Sequence, residues 1–444
     1  MNLFSSVQLA PKDPIFGLTE AYTADQRPGK VNLGVGVYYT DEGKVPLLRA
    51  VLEAEKELVA KQSPRAYVPI EGPNPYNSAV QNLLFGADSP LIKEGRVVTA
   101  ECLGGTGALR VGGDFVKRLE TNAPAAISAP SWENHRGIFE SAGYQVLEYS
   151  YFDPKTRGVD FEGMVKSLES FPAKTLVILH ACCHNPTGAD LTPDQWKKII
   201  SICQTRQLIP FLDIAYQGFA TGIEEDGAAV QLFANSGMSF FVSSSFSKSF
   251  SLYGERVGAL SIVTQSKEES ARVLSQLKRV IRTNYSNPPT HGATVVASVL
   301  NSPELRAMWE AELGEMRDRI RSMRLAMVEQ LAALGAKRDF GFVAEQRGMF
   351  SYSGLTVEQV ERLKEEFGIY AVGTGRICVA ALNQQNLAYV AEAVRTVSRG
   401  LTHRRRDDGK GRPRPPCASH TRCTINPGAS RCPDRSRAAP RSRS

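Results

Sequence analysis

Between about residues 96 and 265 the chain repeats one pattern: a short apolar run, a turn, then an amphipathic helix. "RVVTAECL" leads to "GALRVGGDFVKRLE", "AAISAP" to "ENHRGIFESAG", and "TLVILHACC" to "TPDQWKKIISICQTRQ"; "YQVLEYSYF", "LIPFLDIAY", "FFVSSSF" and "VGALSIV" are further apolar runs. Runs without alternating polarity need burial on both faces, and the intervening helices supply the cover. The expected fold class is therefore α/β, a mostly parallel sheet in a large domain.

The pattern changes after residue 301. From Ser302 to Gly335 a long helix is expected, with Leu305, Met308, Trp309, Leu313, Met316 and Ile320 at spacings of three and four. "GMFSYSGL", "TVEQVERLKEEFG", "IYAVGTGRICVAAL" and "NQQNLAYVAEAVRTVSRG" follow as a small α+β set. The boundaries read as 1–45 for an N-terminal segment packing with the small domain, 46–301 for the large domain, and 302–400 for the bridging helix and small domain. Residues 401–444 are Arg/Pro/Ser-rich without apolar periodicity, so disorder is expected there.

Charge sharpens that division. The formal charge of +7 separates into +9 on residues 401–444 and −2 on residues 1–400. The basicity belongs to the tail, and nucleic acid is not an expected partner of the body. Cys417, His420 and Cys423 have a zinc-like spacing but no apolar scaffold, and no metal site is expected. Five body cysteines without C-x-x-C spacing fit a reducing compartment. No apolar run reaches the roughly 18 residues of a membrane span. The N-terminus does not resemble a secretory signal, so a cytoplasmic location is expected.

Four motifs carry chemistry. "LGGTGALR" (103–110) opens a helix after a strand, which suits either a phosphate cradle or a plain tight turn. "HACCHNPTGADLTPDQW" (180–196) puts Asn185 beyond the carboxyl end of a strand, where α/β ligands bind, before a helix capped by Thr192. His180, His184, Cys182 and Cys183 in it read as turn histidines and core thiols. "FLDIAYQGF" places Asp213 at another strand end, where a buried carboxylate needs a cation; a capping role is the alternative. "SSSFSKSFSLYGERVG" isolates Lys248 among serines and phenylalanines, with Arg256 eight residues on. An apolar pocket favours the neutral, nucleophilic amine and suits Schiff-base chemistry, and a guanidinium suits a phosphate.

"CCHNPTGADLTPDQW", "DIAYQGF", "SSSFSKSFSLYGERVG", "NYSNPPTHGA" and "GRICVAAL", in this order, resemble the class I aminotransferases that use pyridoxal 5'-phosphate, closest to the aspartate and aromatic-amino-acid branch. The resemblance covers about residues 1–400 and implies the fold type I architecture of pyridoxal-phosphate transferases. It implies a cofactor Schiff base on Lys248, Asp213 against the ring nitrogen, Asn185 and Tyr216 toward the ring oxygen, Trp132 stacked on the ring, and His135 behind Asp213. Gly105, Thr106, Ser245, Arg256 and Tyr67 would hold the phosphate. Arg376 would take the substrate α-carboxylate and Arg282 the distal carboxylate, while Gly36 and Val35 close over the substrate. Because Tyr67 and Arg282 would come from the neighbouring subunit, a homodimer with shared active sites is implied.

The implied partners are small amino acids and 2-oxo acids. The wording of "SLYGERVG" and "YVPIEG" looks more like the aromatic branch, implying ping-pong transfer from tyrosine, phenylalanine and aspartate to 2-oxoglutarate. A strict aspartate aminotransferase is the alternative, followed by a lyase or decarboxylase on the same fold and by a non-catalytic binding protein.

Overall fold

Seven strands form the central sheet: β2 (Val97–Leu103), β3 (Ala125–Ala129), β4 (Val146–Ser150), β5 (Leu176–His180), β6 (Ile209–Ile214), β7 (Phe240–Ser245) and β8 (Val257–Val263). Their spatial order is β2-β8-β7-β6-β5-β3-β4. The chain is described by a computed structural model over residues 3–11, 13 and 15–399, and the expectations for the tail, including Cys417, His420 and Cys423, lie outside the described residues.

Pairing is parallel from β4 through β3, β5 and β6 to β7, then antiparallel for β7 with β8 and β8 with β2. Two successive reversals give β2 the direction of β7 again. The carboxyl ends of β2, β5, β6 and β7 therefore share one edge of the sheet. In an open α/β sheet that edge is where ligands bind.

The sheet is buried on both faces, as the unbroken apolar runs require. Alternate residues sort to opposite sides: Leu176, Ile178, Phe211, Phe241, Leu260 and Ile262 join one buried cluster. Val177, Leu179, Leu212, Val242, Ala259 and Val263 join the other. The 16-residue helix Gly104–Leu119 covers the first face, with Ala108, Leu109, Phe115 and Val116 inward. The helix Pro193–Arg206 lies on the second, begun by a capping box in which Thr192 Oγ1 accepts from Gln195 N and Gln195 accepts from Thr192 N.

The long helix spans Pro303–Ala333 and buries Leu305, Trp309, Leu313, Met316 and Ile320. Trp309 stacks on Phe250 at 4.6 Å, and its Nε1–H donates to Ser249 O at 2.7 Å. The segment carrying Lys248 is thus pinned to this helix.

Four short strands complete the fold: β1 (Val31–Asn32), β9 (Phe350–Tyr352), β10 (Ile369–Tyr370) and β11 (Arg376–Cys378). β1 pairs parallel with β10, and β11 antiparallel with β9. These pairings carry Gly36, Phe350 and Arg376 to the edge of the sheet where the strand ends meet. Among the described residues no helix is long and apolar enough to cross a membrane.

Candidate active site

The strand register assembles the centre of the site. His180 on β5 lies beside Asp213 on β6, and Asp213 beside Ser243 on β7. Each chain then leaves the sheet: to Asn185 after β5, Tyr216 after β6, Lys248 after β7, and Gly105 and Thr106 after β2. A cavity of about 500 Å³ opens there, lined by Gly36, Gly105, Thr106, Trp132, Asn185, Asp213, Tyr216, Ser245, Lys248, Arg256 and Arg376.

Asp213 is 5% exposed, and its Oδ2 lies 2.9 Å from His135 Nε2. A carboxylate only accepts, so Nε2 carries the proton, and Nδ1 can accept from Ser131 Oγ at 2.9 Å. Burial pushes the Asp213 carboxyl up, but the His135 hydrogen bond and the fields of His135, His180 and Lys248 outweigh it and hold the group below the usual carboxylate range. The carboxylate is a fixed anion in a dry wall of the cavity.

Lys248 is the opposite case. Burial pulls its amine from 10.5 down to about 8, with Asp213 opposing and Arg256 and Arg376 assisting. Nζ lies 4.9 Å from the centre of the Tyr216 ring. At pH 7 about a tenth of it is then the nucleophilic free base, far more than for an ordinary lysine. Burial raises the Tyr216 phenol well above its ordinary range, so it stays a donor.

At the other end, Gly104 has φ +68, and a Cβ there would sit 2.5 Å from Arg256 Nη2. Only glycine allows both the left-handed turn and the guanidinium's approach. Gly258 repeats the constraint, since its Cβ would lie 2.4 Å from Gly104 C. Gly105 and Thr106 open the following helix, whose free N–H groups and positive dipole end favour an anion. Arg256 Nη1 donates to Ser247 Oγ at 3.3 Å and to Tyr253 O at 3.0 Å, which fixes it at that turn.

Arg376 is 1% exposed and lies over the Phe350 ring at 4.3 Å. Its Nη1 donates to Asn185 Oδ1 at 3.1 Å and Nη2 to Gly34 O at 2.7 Å, while Nε has no partner among the described residues. A buried guanidinium whose hydrogen-bond partners are all neutral, and which keeps an unpartnered N–H, has the chemistry to take a carboxylate. Because Asn185 Oδ1 is taken, the amide hydrogens of Asn185 are left for a ligand.

Four of the predicted residues stand apart. His135 is completely buried behind Asp213, and Val35 precedes the cavity-lining Gly36. Tyr67, 94% exposed, and Arg282 line a separate depression with Tyr285 and Pro288. Sequence reasoning missed Phe350, Ser247 and Tyr253, and took His180 for an ordinary turn histidine. Both His180 ring nitrogens lack partners among the described residues, its ring centre is 4.9 Å from that of His135, and burial holds it neutral with a pKa of about 3. Cys182 and Cys183 lie near Asp226, whose carboxylate accepts from Gly218, Ala220 and Thr221 N–H, leaving a packed thiol pair.

The residues present fit a flat, phosphate-bearing heteroaromatic ring with an aldehyde. An anion turn with its arginine lies at one end, a buried carboxylate and a depressed lysine line the cavity, and Trp132 offers a stacking face.

Comparison with known proteins agrees with this chemistry. The family described as "Aminotransferase class I and II" matches residues 28–394. An aspartate aminotransferase of Pseudomonas aeruginosa is 68% identical over 394 residues, covering 89% of this chain and 99% of that protein. The aromatic-amino-acid aminotransferase of Escherichia coli is 50% identical, covering 89% and 100%. Among solved structures, the aromatic-amino-acid aminotransferase of Burkholderia pseudomallei, covalently bound to pyridoxal phosphate, superposes with a TM-score of 0.88 at 64% identity, covering 89% of this chain and all of that one. The chain belongs to the class I and II aminotransferases.

Proposed function

We propose that this aminotransferase carries pyridoxal phosphate on Lys248 and transfers the amino group of tyrosine and phenylalanine, with aspartate as a further substrate, to 2-oxoglutarate. The observation that carries the reading is the meeting, in one cavity, of a depressed lysine, a buried carboxylate, a glycine turn with its arginine, and a carboxylate-receptor arginine. When bound, pyridoxal phosphate supplies an aldehyde that takes the amino group and a ring that draws negative charge from the substrate α carbon.

Asp213, kept ionised by His135, would hold a proton on the ring nitrogen. Tyr216 and the Asn185 amide would donate to the ring oxygen, and Trp132 would offer its face to the ring. Gly105, Thr106, Ser245 and Arg256 would hold the phosphate, with Tyr67 of a second copy. Lys248 Nζ, once its bond to the cofactor passes to the substrate amine, would be the base that takes and holds the proton of the substrate Cα. Arg376 holds the α-carboxylate in the orientation that exposes that proton to Nζ. Gly36 and Val35 close the mouth and exclude water.

The same reading takes the protein as a homodimer. Tyr67 and Arg282 lie outside their own chain's cavity and line one exposed depression, which supports their serving the site of a second copy. In domain terms, residues 46–301 hold the cofactor, while 302–400 with 1–45 form the smaller body that closes on substrate. The β1–β10 pairing and the bond from Cys378 N to Leu33 O, 2.7 Å, support that grouping.

Steady-state assays with tyrosine, phenylalanine and aspartate, each against 2-oxoglutarate, test the substrate reading. The aromatics are expected to have kcat/KM at least equal to that of aspartate. A strict preference for aspartate overturns it.

A further inference from the structure

Arg376 has one anionic neighbour that its proposed role does not use. Glu133, the first residue of the helix Glu133–Ser141, follows the cavity-lining Trp132 and places Oε2 3.7 Å from Arg376 Nη1. No other carboxylate lies within 4.0 Å of Arg376 among the described residues. The contact is too long for a hydrogen bond. Glu133 Oε2 is buried and has no hydrogen-bond partner among the described residues, while the side chain as a whole remains 27% exposed.

Arg376 Nη1 and Nη2 each already donate to a neutral acceptor, Asn185 Oδ1 and Gly34 O, and Nε has no partner among the described residues, so Glu133 makes none of the hydrogen bonds of Arg376. Nor is Glu133 satisfied by Arg376. A carboxylate left unbonded beside a guanidinium is held by the field alone, and it resists any second negative charge brought to that guanidinium.

We propose that Glu133 is a specificity-determining residue whose carboxylate weakens the grip of Arg376 on substrate carboxylates and penalises dicarboxylic ligands more than aromatic monocarboxylic ones. This rests on Arg376 being the α-carboxylate receptor. A monoanion meets the Glu133 charge once, at Arg376. A dianion of the same site meets it a second time through its distal carboxylate, at longer range and with more screening. The bias therefore favours aromatic over dicarboxylic substrates without any contact to the aromatic ring.

Calorimetric titration of the holoenzyme tests this without turnover. The probes are 3-indolepropionate, succinate and the carboxylate-free 3-ethylindole, on the wild type, Glu133→Gln and Glu133→Ala. Both variants are expected to tighten 3-indolepropionate about two- to fivefold, the order of a partly exposed charge pair. Succinate should gain about a further twofold by the longer-range term, and 3-ethylindole should not change. Carboxylates bound no tighter by either variant, or a neutral probe shifted by the same factor, overturn the proposal. Arg376→Lys run in parallel separates the two layers. If it leaves 3-indolepropionate binding unchanged, the receptor reading falls and this proposal with it. If it weakens binding while both Glu133 variants match the wild type, only the proposal for Glu133 falls.

Discussion

Glu101 offers a stability prediction that can be worked from its surroundings. It sits in β2, fully buried, against Gly72, whose Cβ would lie 2.8 Å from Glu101 Oε2. Neither carboxyl oxygen has a hydrogen-bond partner among the described residues. Glu71, whose carbonyl accepts from Glu101 N, takes Lys278 as its own partner, Nζ to Oε1 at 2.7 Å. Burial pushes the Glu101 carboxyl from 4.5 up to about 8. Below pH 4.5 both folded and unfolded chains hold this proton, so the group adds no pH-dependent cost. Between 4.5 and about 8 the unfolded chain has lost it while the folded chain keeps it, and stability falls as pH rises, by up to about 1.4 kcal/mol per unit. Across that window the loss is about 3–5 kcal/mol, and above it the loss levels off.

Glu101→Gln keeps the shape and removes the titration. Its amide carries a constant cost of about 1–3 kcal/mol for its unpaired polar atoms, independent of pH. Relative to the wild type, the variant should therefore gain about 3–5 kcal/mol between pH 5 and pH 8.5. Urea unfolding at fixed protein concentration, at half-unit steps of pH, reads this as a widening gap between midpoints at constant slope. Parallel profiles would refute the reasoning, because they would mean that Glu101 is ionised or paired in the folded protein.

Asp213→Asn leaves an amide oxygen that can still accept from His135 Nε2–H but removes the fixed anion of the cavity; kcat/KM for tyrosine should fall at least about 10²-fold, measured by single-turnover absorbance, with the fold intact by circular dichroism. Arg376→Lys keeps the charge but loses the fork that bonds Asn185 and Gly34, and KM for every amino-acid substrate should rise about 10- to 100-fold in steady-state assays. An equal KM in that variant would place the α-carboxylate elsewhere.

Much of this was legible in the chain because strand ends announce themselves. Lys248, alone among serines and phenylalanines after "MSFFV", could hardly be a solvated surface lysine, and Asp213 closing "FLDI" required a cation. The glycines of "LGGTG" marked a turn, but only the structure shows Arg256 packed where a Cβ on Gly104 would be. Other residues had no local signal. Phe350 lies under Arg376 because β9 pairs with β11, and Glu133 faces Arg376 across 243 positions of chain. His180 reads as a turn histidine until the register sets it beside Asp213. Tertiary pairing, not composition, gives these three their places.

The most direct test of the account is chemical. Protein reconstituted with pyridoxal phosphate, reduced with borohydride, digested and mapped by mass spectrometry should carry the cofactor's mass on Lys248 and on no other lysine. An unlabelled protein, or a label fixed at a different side chain, would contradict the central claim.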